Sequence, residues 1–207
     1  MKRTPWVMVG WLWAAGTLWG QGVDGEPRIL FLGDSLAAGY EIGKEFAFPA
    51  LIQAKIRRFG LPYTVINAGV SGDTSAGGLR RLGWILRGPV AVLVLALGAN
   101  DGLRGVPPEE TAKNLQAIID QARRKIPRLK VVIAGMKVPP NLGPDYAEKF
   151  EGIFTELAEK NHAVLIPFLL KGVAGRPHLN LADGIHPTAE GHALVAETVW
   201  HYLEPLL

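Results

Sequence analysis

From Val90 to Leu97 the chain reads V-A-V-L-V-L-A-L, eight apolar residues without a break. A strand with one face in water alternates apolar and polar residues. An unbroken run therefore belongs to a strand buried on both faces, as in a parallel sheet covered by helices on either side. A second run, Ile29–Leu32 (I-L-F-L), leads directly into Gly33-Asp34-Ser35. It reads as another buried strand with its exit loop, which sets Ser35 just past the strand's C-terminal end. Ligands of open α/β sheets bind along that edge. Position alone leaves Ser35 with two readings, a turn residue or a nucleophile, because Ser, Asp and Gly are the ordinary residues of turns and helix caps.

The alternation continues along the chain. Strands are expected at Arg28–Leu32, Tyr63–Asn67, Val90–Leu97, Leu129–Ala134 and Ala163–Phe168. Helices are expected at Phe48–Phe59, with Pro49 in the first turn and Gly60 as the stop, and at Thr74–Leu86, with Asp73 or Thr74 as cap. Three more are expected at Pro108–Ile126, Pro144–Asn161 and Thr188–Leu203. In the first of these, Leu115, Ile118, Ile119 and Ala122 share one face. Five strands alternating with helices predict one α/β domain with a parallel sheet in the flavodoxin-like order 2-1-3-4-5. Two loops rich in Pro and Gly, Met136–Pro144 and Lys171–Leu181, leave strand C-termini and are placed to wall a site.

The N-terminus has a different pattern. Met1-Lys2-Arg3 is basic, Pro5–Trp19 is free of charge and mostly apolar, and Gly20-Gln21-Gly22 supplies small residues. This is the three-part pattern of a secretory signal peptide, residues 1–22, with a mature start near Val23 and a secreted, periplasmic destination. The apolar run is shorter than the roughly 20 residues a spanning helix needs, so no stable membrane insertion is expected after its removal. Four of the six tryptophans lie in this segment. Without Lys2 and Arg3 the chain carries 20 basic and 19 acidic residues, and no basic stripe is interleaved with aromatics, so nucleic acid is not an expected partner. With no cysteine, disulfides, a thiol nucleophile and thiolate-bound metals are excluded.

Four groups fall on the C-terminal edge of the expected sheet: Ser35, Ser71-Gly72-Asp73, Gly98-Ala99-Asn100-Asp101 and Asp183-Gly184-Ile185-His186. Singly, each reads as a turn or cap. Together they supply a hydroxyl, an imidazole, a carboxylate, backbone N–H groups and a side-chain amide, which are the parts that acyl transfer to serine requires. A serine hydroxyl needs a base, and His186 is the candidate. Asp183, three residues earlier, is placed to accept the other imidazole N–H. The Ser35 and Gly72 N–H groups and the Asn100 amide are candidate donors to an oxyanion.

These blocks resemble the signature blocks of the SGNH, or GDSL, hydrolases. The longer runs I-N-A-G-V-S-G-D-T-S-A-G-G-L-R-R-L, G-A-N-D-G-L-R-G, P-P-N-L-G-P-D-Y and L-A-D-G-I-H-P resemble the family's secreted bacterial esterases with thioesterase, lysophospholipase and arylesterase activities. The resemblance covers Arg28 to the C-terminus. It implies a flavodoxin-like three-layer α/β/α sandwich, a Ser35–His186–Asp183 triad, and an oxyanion hole from Ser35, Gly72 and Asn100. It further implies a mobile substrate loop bordered by Thr74–Arg80. The G-x-S-x-G elbow of the α/β-hydrolases is absent, since Ser35 sits in G-D-S-L-A.

Other residues carry plainer expectations. Asp34 and Asp101 read as caps or supporting hydrogen-bond partners, and Asp73 as a helix cap. His162, His178, His192 and His201 read as surface or cap histidines, and Trp84 and Trp200 as packing. No clustered His/Asp spacing suggests a metal, and no cofactor is expected. Thr74, Met136, Pro140 and Ile185 are candidate substrate-binding residues. Val138, Pro139 and Leu142 divide evenly between an acyl groove and loop packing. The expected activity is hydrolysis of acyl esters and thioesters, with a small acyl ester or lysolipid as substrate. Two rivals stay open, a carbohydrate O-deacetylase of the cell envelope and a non-catalytic envelope lipid- or sugar-binding protein. A phosphate-binding protein would need a G-x-x-x-x-G-K loop, which is missing.

Overall fold

The first strand, β1 (Arg28–Gly33), is buried from Ile29 onward, as its unbroken apolar run requires. The computed structural model describes residues 25–207, so the expected signal segment 1–22 lies outside the described residues. Four more strands follow: β2 (Thr64–Gly69), β3 (Val90–Ala96), β4 (Lys130–Ala134) and β5 (Val164–Ile166). All pair in parallel, in the order β2-β1-β3-β4-β5, as expected. Gly33 pairs with Gly69 on one side and Ala96 on the other, so the three strands end level. The loops that leave them therefore meet at one edge.

Seven helices are described: α1 (Ser35–Ala38), α2 (Phe48–Arg58), α3 (Ser75–Ile85), α4 (Ala99–Leu103), α5 (Pro108–Lys125), α6 (Pro144–Lys160) and α7 (Ala189–Leu203). Helices α3, α5 and α6 pack side by side on one face of the sheet, and α2 and α7 on the other, giving three layers. Helix α5 buries Leu115, Ile118, Ile119 and Ala122, the face its spacing predicts. Residues Val92–Leu97 of the central strand and its exit are buried under both helical layers.

The differences from expectation are local. The two short helices α1 and α4 carry no apolar period and are invisible to a pattern search. Strand β5 stops at Ile166 rather than Phe168, because Pro167 has no N–H to continue the ladder. Thr74, not Asp73, caps α3: its hydroxyl accepts the Gly77 N–H at 3.2 Å. Asp73 instead pairs with Arg81, Oδ2 to Nε at 2.7 Å.

Candidate active site

Asp34 starts the site. Its Oδ1 accepts the Leu36 N–H at 3.0 Å and caps α1, which puts Ser35 at the first helical position on the sheet's C-terminal edge. Its carboxyl is pushed up to about 6, chiefly by burial, against the opposing pull of the Leu36 N–H and the His186 charge. Asp34 thus fills the cap role expected of it.

The late block folds as a tight turn. Asp183 Oδ1 accepts the N–H groups of Ile185 (2.8 Å) and His186 (3.0 Å). The turn is tied to its flanks by Leu181 N–H to His186 O at 2.7 Å. Asp183 Oδ2 lies 2.6 Å from His186 Nδ1, and His186 Nε2 lies 2.9 Å from Ser35 Oγ. Burial pushes the Asp183 carboxyl up, but hydrogen bonds from the His186 ring and from the two N–H groups outweigh it and hold the group at about 2. An ionised carboxylate only accepts, so Nδ1 carries the proton and Nε2 is left as an acceptor facing the hydroxyl.

The other two blocks leave β2 and β3 at the same edge of the sheet, and Asn100 lines the groove with Ser35. Gly72 adopts a left-handed φ of +78°, which a glycine enters without strain. Its carbonyl accepts from Arg104 Nη2 at 3.0 Å. Asn100, in the first turn of α4, donates from Nδ2 to the Asp73 carbonyl at 3.0 Å and, more weakly, to Asp34 Oδ2 at 3.4 Å. The N–H groups of Ser35 and Gly72 have no acceptor among the described residues. Asp101, adjacent to Asn100, is buried and accepts both the Ser75 N–H (2.8 Å) and the Ser75 hydroxyl (2.5 Å), which locks α4 to α3. This is the supporting role expected of it.

A groove of about 560 Å³ opens beside Ser35 and His186. Its walls are mostly apolar, from Leu36, Leu103, Met136, Val138, Phe168 and Ile185. Both candidate loops contribute, Met136 and Pro139 from one and Ala174 and Gly175 from the other. Of the candidate substrate residues, Met136 and Ile185 line this groove. Thr74 does not line the groove, since its hydroxyl is spent on the α3 cap. The segment Thr74–Arg80 is the cap and first turns of that helix. Pro140 opens a 3₁₀ turn, Pro140–Leu142, and its side chain lies outside the described residues.

Some residues are not where the sequence suggested. His192 is buried, not on the surface, and its Nδ1 accepts the Phe48 N–H at 3.2 Å. Burial, helped by the His186 charge, pushes it down to about 4, so it is a neutral acceptor near pH 7. Trp200 packs on Phe59 as expected, with ring centroids 5.5 Å apart, whereas Trp84 is 73% exposed. Three residues at the site went unnoticed in the sequence: Tyr40, Arg81 and Arg104. Tyr40 lies against the His186 ring, centroid to centroid 4.4 Å. The α1 terminus turns it back, since the N–H groups of Gly39 and Tyr40 both bond the Ser35 carbonyl. The signal that could have found it is Gly39, a left-handed helix stop right before an aromatic residue.

Residues 31–194 match the GDSL-like lipase/acylhydrolase family. An arylesterase of Vibrio mimicus is 41% identical over 173 residues, 83% of this chain and 86% of that protein. The "thioesterase 1/protease 1/lysophospholipase L1" of Escherichia coli K12 is 37% identical over 181 residues, 86% of this chain and 84% of that one. The crystal structure of TesA superposes with a TM-score of 0.83 at 40% identity, covering 87% of this chain and 99% of that chain. With the fold, the ordered blocks and relatives of this coverage in agreement, the chain belongs to the GDSL-like lipase/acylhydrolase family.

Proposed function

We propose that this hydrolase cleaves acyl esters and thioesters through an acyl-Ser35 intermediate. One observation carries the reading: the unbroken hydrogen-bond chain Ser35–His186–Asp183, at 2.9 and 2.6 Å, opens onto an apolar groove. Ser35 Oγ attacks the acyl carbonyl carbon as its proton passes to His186 Nε2. Asp183 holds the ring and stabilises the imidazolium. The carbonyl oxygen becomes an oxyanion that accepts from the Ser35 and Gly72 N–H groups and from Asn100 Nδ2, whose weaker bond to Asp34 is the one given up. The C–O or C–S bond then breaks, and His186 returns the proton to the leaving alcohol or thiol. Water, deprotonated by His186, attacks the acyl-enzyme, releases the acid and restores Ser35. The acyl chain occupies the groove between Met136, Val138 and Ile185.

The reading extends to location. The basic start, the uncharged apolar run and the small residues before Val23 support export with removal of residues 1–22. Among the described residues no helix is long and apolar enough to cross a membrane. Mass spectrometry of the protein recovered from the periplasm of an expressing bacterium should give a chain beginning near Val23. A full-length mass would sink the leader reading.

The activity is tested with p-nitrophenyl esters from acetate to palmitate, on the chain from Val23 and on its Ser35→Ala variant. Turnover should rise from acetate toward medium chains and fall by about 10⁴-fold or more in the variant. Near-native activity in Ser35→Ala would overturn the mechanism. Activity confined to acetate would keep the mechanism and move the substrate toward an acetylated carbohydrate.

A further inference from the structure

The three oxyanion donors proposed above come from three separate loops, after β1, β2 and β3. Such donors act only when held within about 0.5 Å of the productive geometry. Arg81 on α3 bonds directly to the ends of β1 and β2 and to the loop after β2, and is linked to the loop after β3 only through Asp73. Its Nε donates to Asp73 Oδ2 at 2.7 Å, one terminal nitrogen donates to the Ala68 carbonyl at 2.6 Å, and the other donates to the Gly33 carbonyl at 3.0 Å. Gly33 lies two residues before Ser35, at the end of β1. Ala68 lies at the end of β2, four residues before Gly72. Asp73 follows Gly72 directly, and its carbonyl accepts the Asn100 amide at 3.0 Å.

We infer that Arg81 is a positioning residue that sets the spacing of the oxyanion hole, an inference that rests on the acyl-serine reading. Three acceptors in three directions use the planar fork of a guanidinium, which a lysine ammonium on a single-point stem does not reproduce. The side chains are mostly withdrawn from water, Arg81 21% and Asp73 12% exposed. The seat for the pair is built into the helix. A Cβ on Gly77 would meet Asp73 Oδ1, so in this arrangement the carboxylate lies in the space that the glycine leaves. Helix α3 has other anchors, the buried Leu82, the Thr74 cap and the Ser75–Asp101 bonds. Docking the helix therefore does not explain why three N–H groups converge on strand ends and on Asp73.

The test is a double-mutant cycle on hydrolysis of p-nitrophenyl butyrate, using wild type, Arg81→Lys, Asn100→Ala and the double variant, with folding checked by circular dichroism. Arg81→Lys should lower kcat about 10- to 100-fold with KM within about twofold, because the lost interaction is made in the transition state. In the Asn100→Ala background the same change should cost less than about threefold, since one donor it positions is already gone. A folded Arg81→Lys enzyme with near-native kcat, a loss confined to KM, or full additivity would each overturn the inference while leaving the Asn100 effect intact. An unchanged kcat in Asn100→Ala would instead overturn the oxyanion reading, and this inference with it. If Arg81→Lys does not fold, Asp73→Asn takes its place in the same cycle with the same expectations.

Discussion

Ser35, His186 and Gly72 show how much chemistry rests on single backbone and side-chain positions. Ser35 is 93% withdrawn from solvent at rest, with 7% exposed, and its hydroxyl has one strong partner, His186 Nε2. Gly72 is a different case, because no atom lies closer than 3.9 Å to where a Cβ would stand. Space does not demand glycine there, but the left-handed φ of +78° does. Gly72→Ala should therefore cost only about 1–2 kcal/mol of stability, the usual cost of that backbone region for an L-residue. Its N–H should turn away from the site, so kcat should fall by about 10²-fold, the scale of losing one oxyanion donor. Steady-state kinetics beside a urea titration separates the two effects. A large stability loss with unchanged kcat would overturn the proposed role of Gly72 as an oxyanion donor.

At the scale of elements, the exposed edge of β2 is managed by a side chain from α2. Gln53 Oε1 accepts the Val65 N–H at 2.6 Å, and its Nε2 donates to the Tyr63 carbonyl at 3.3 Å. Further along, Asn67 Oδ1 accepts the Gly69 N–H at 2.9 Å and its Nδ2 donates to the Ala37 carbonyl at 2.7 Å. An edge strand with free N–H and C=O groups is a template for pairing with another chain. Gln53 and Asn67 occupy those groups from within the molecule. Gln53→Ala should lower stability by about 1–2 kcal/mol, the cost of leaving partly buried backbone groups unpaired. It should also raise self-association, read by light scattering after incubation at mild temperature. A monodisperse variant of unchanged stability would show that water satisfies this edge.

Across the whole molecule, two buried groups titrate in opposite senses. The folded-state value of Asp34, about 6, lies above its ordinary 3.8. Between those values the folded chain holds the extra proton, so this group makes stability fall as pH rises. The folded-state value of His192, about 4, lies below its ordinary 6.5. There the unfolded chain holds the extra proton, so this group makes stability rise with pH over nearly the same window. The two slopes oppose, and the wild-type protein should be nearly flat from about pH 4 to 6.5. Asp34→Asn removes one of them. Its unfolding free energy should then rise across that window by on the order of 2–3 kcal/mol, measured by urea unfolding at several pH values. A flat profile in the variant would mean that His192 is not held neutral. Below this window Asp183 takes over. Its depressed value means that its stabilisation is present above about 3.8 and is lost as pH falls through about 2.

The linear order of residues determined the strand and helix succession, the sheet order, and the four blocks that meet at one edge. These follow from local physics: unbroken apolar runs, a 3.6-residue period, caps and turn residues act within one element. The Asp183–His186 pair was legible for the same reason, since a three-residue turn brings its partners together. Tertiary structure alone decided the rest. Asp73 was expected to cap α3 and instead, just ahead of the helix, pairs with Arg81 eight residues on. His192 was expected at the surface and lies buried against Phe48, 144 residues distant in sequence. Tyr40 on His186, Gln53 on the β2 edge and Arg81 across the exits of β1 and β2 share one property. Each depends on distances between elements, which are set when helices pack on the sheet and which no local pattern encodes.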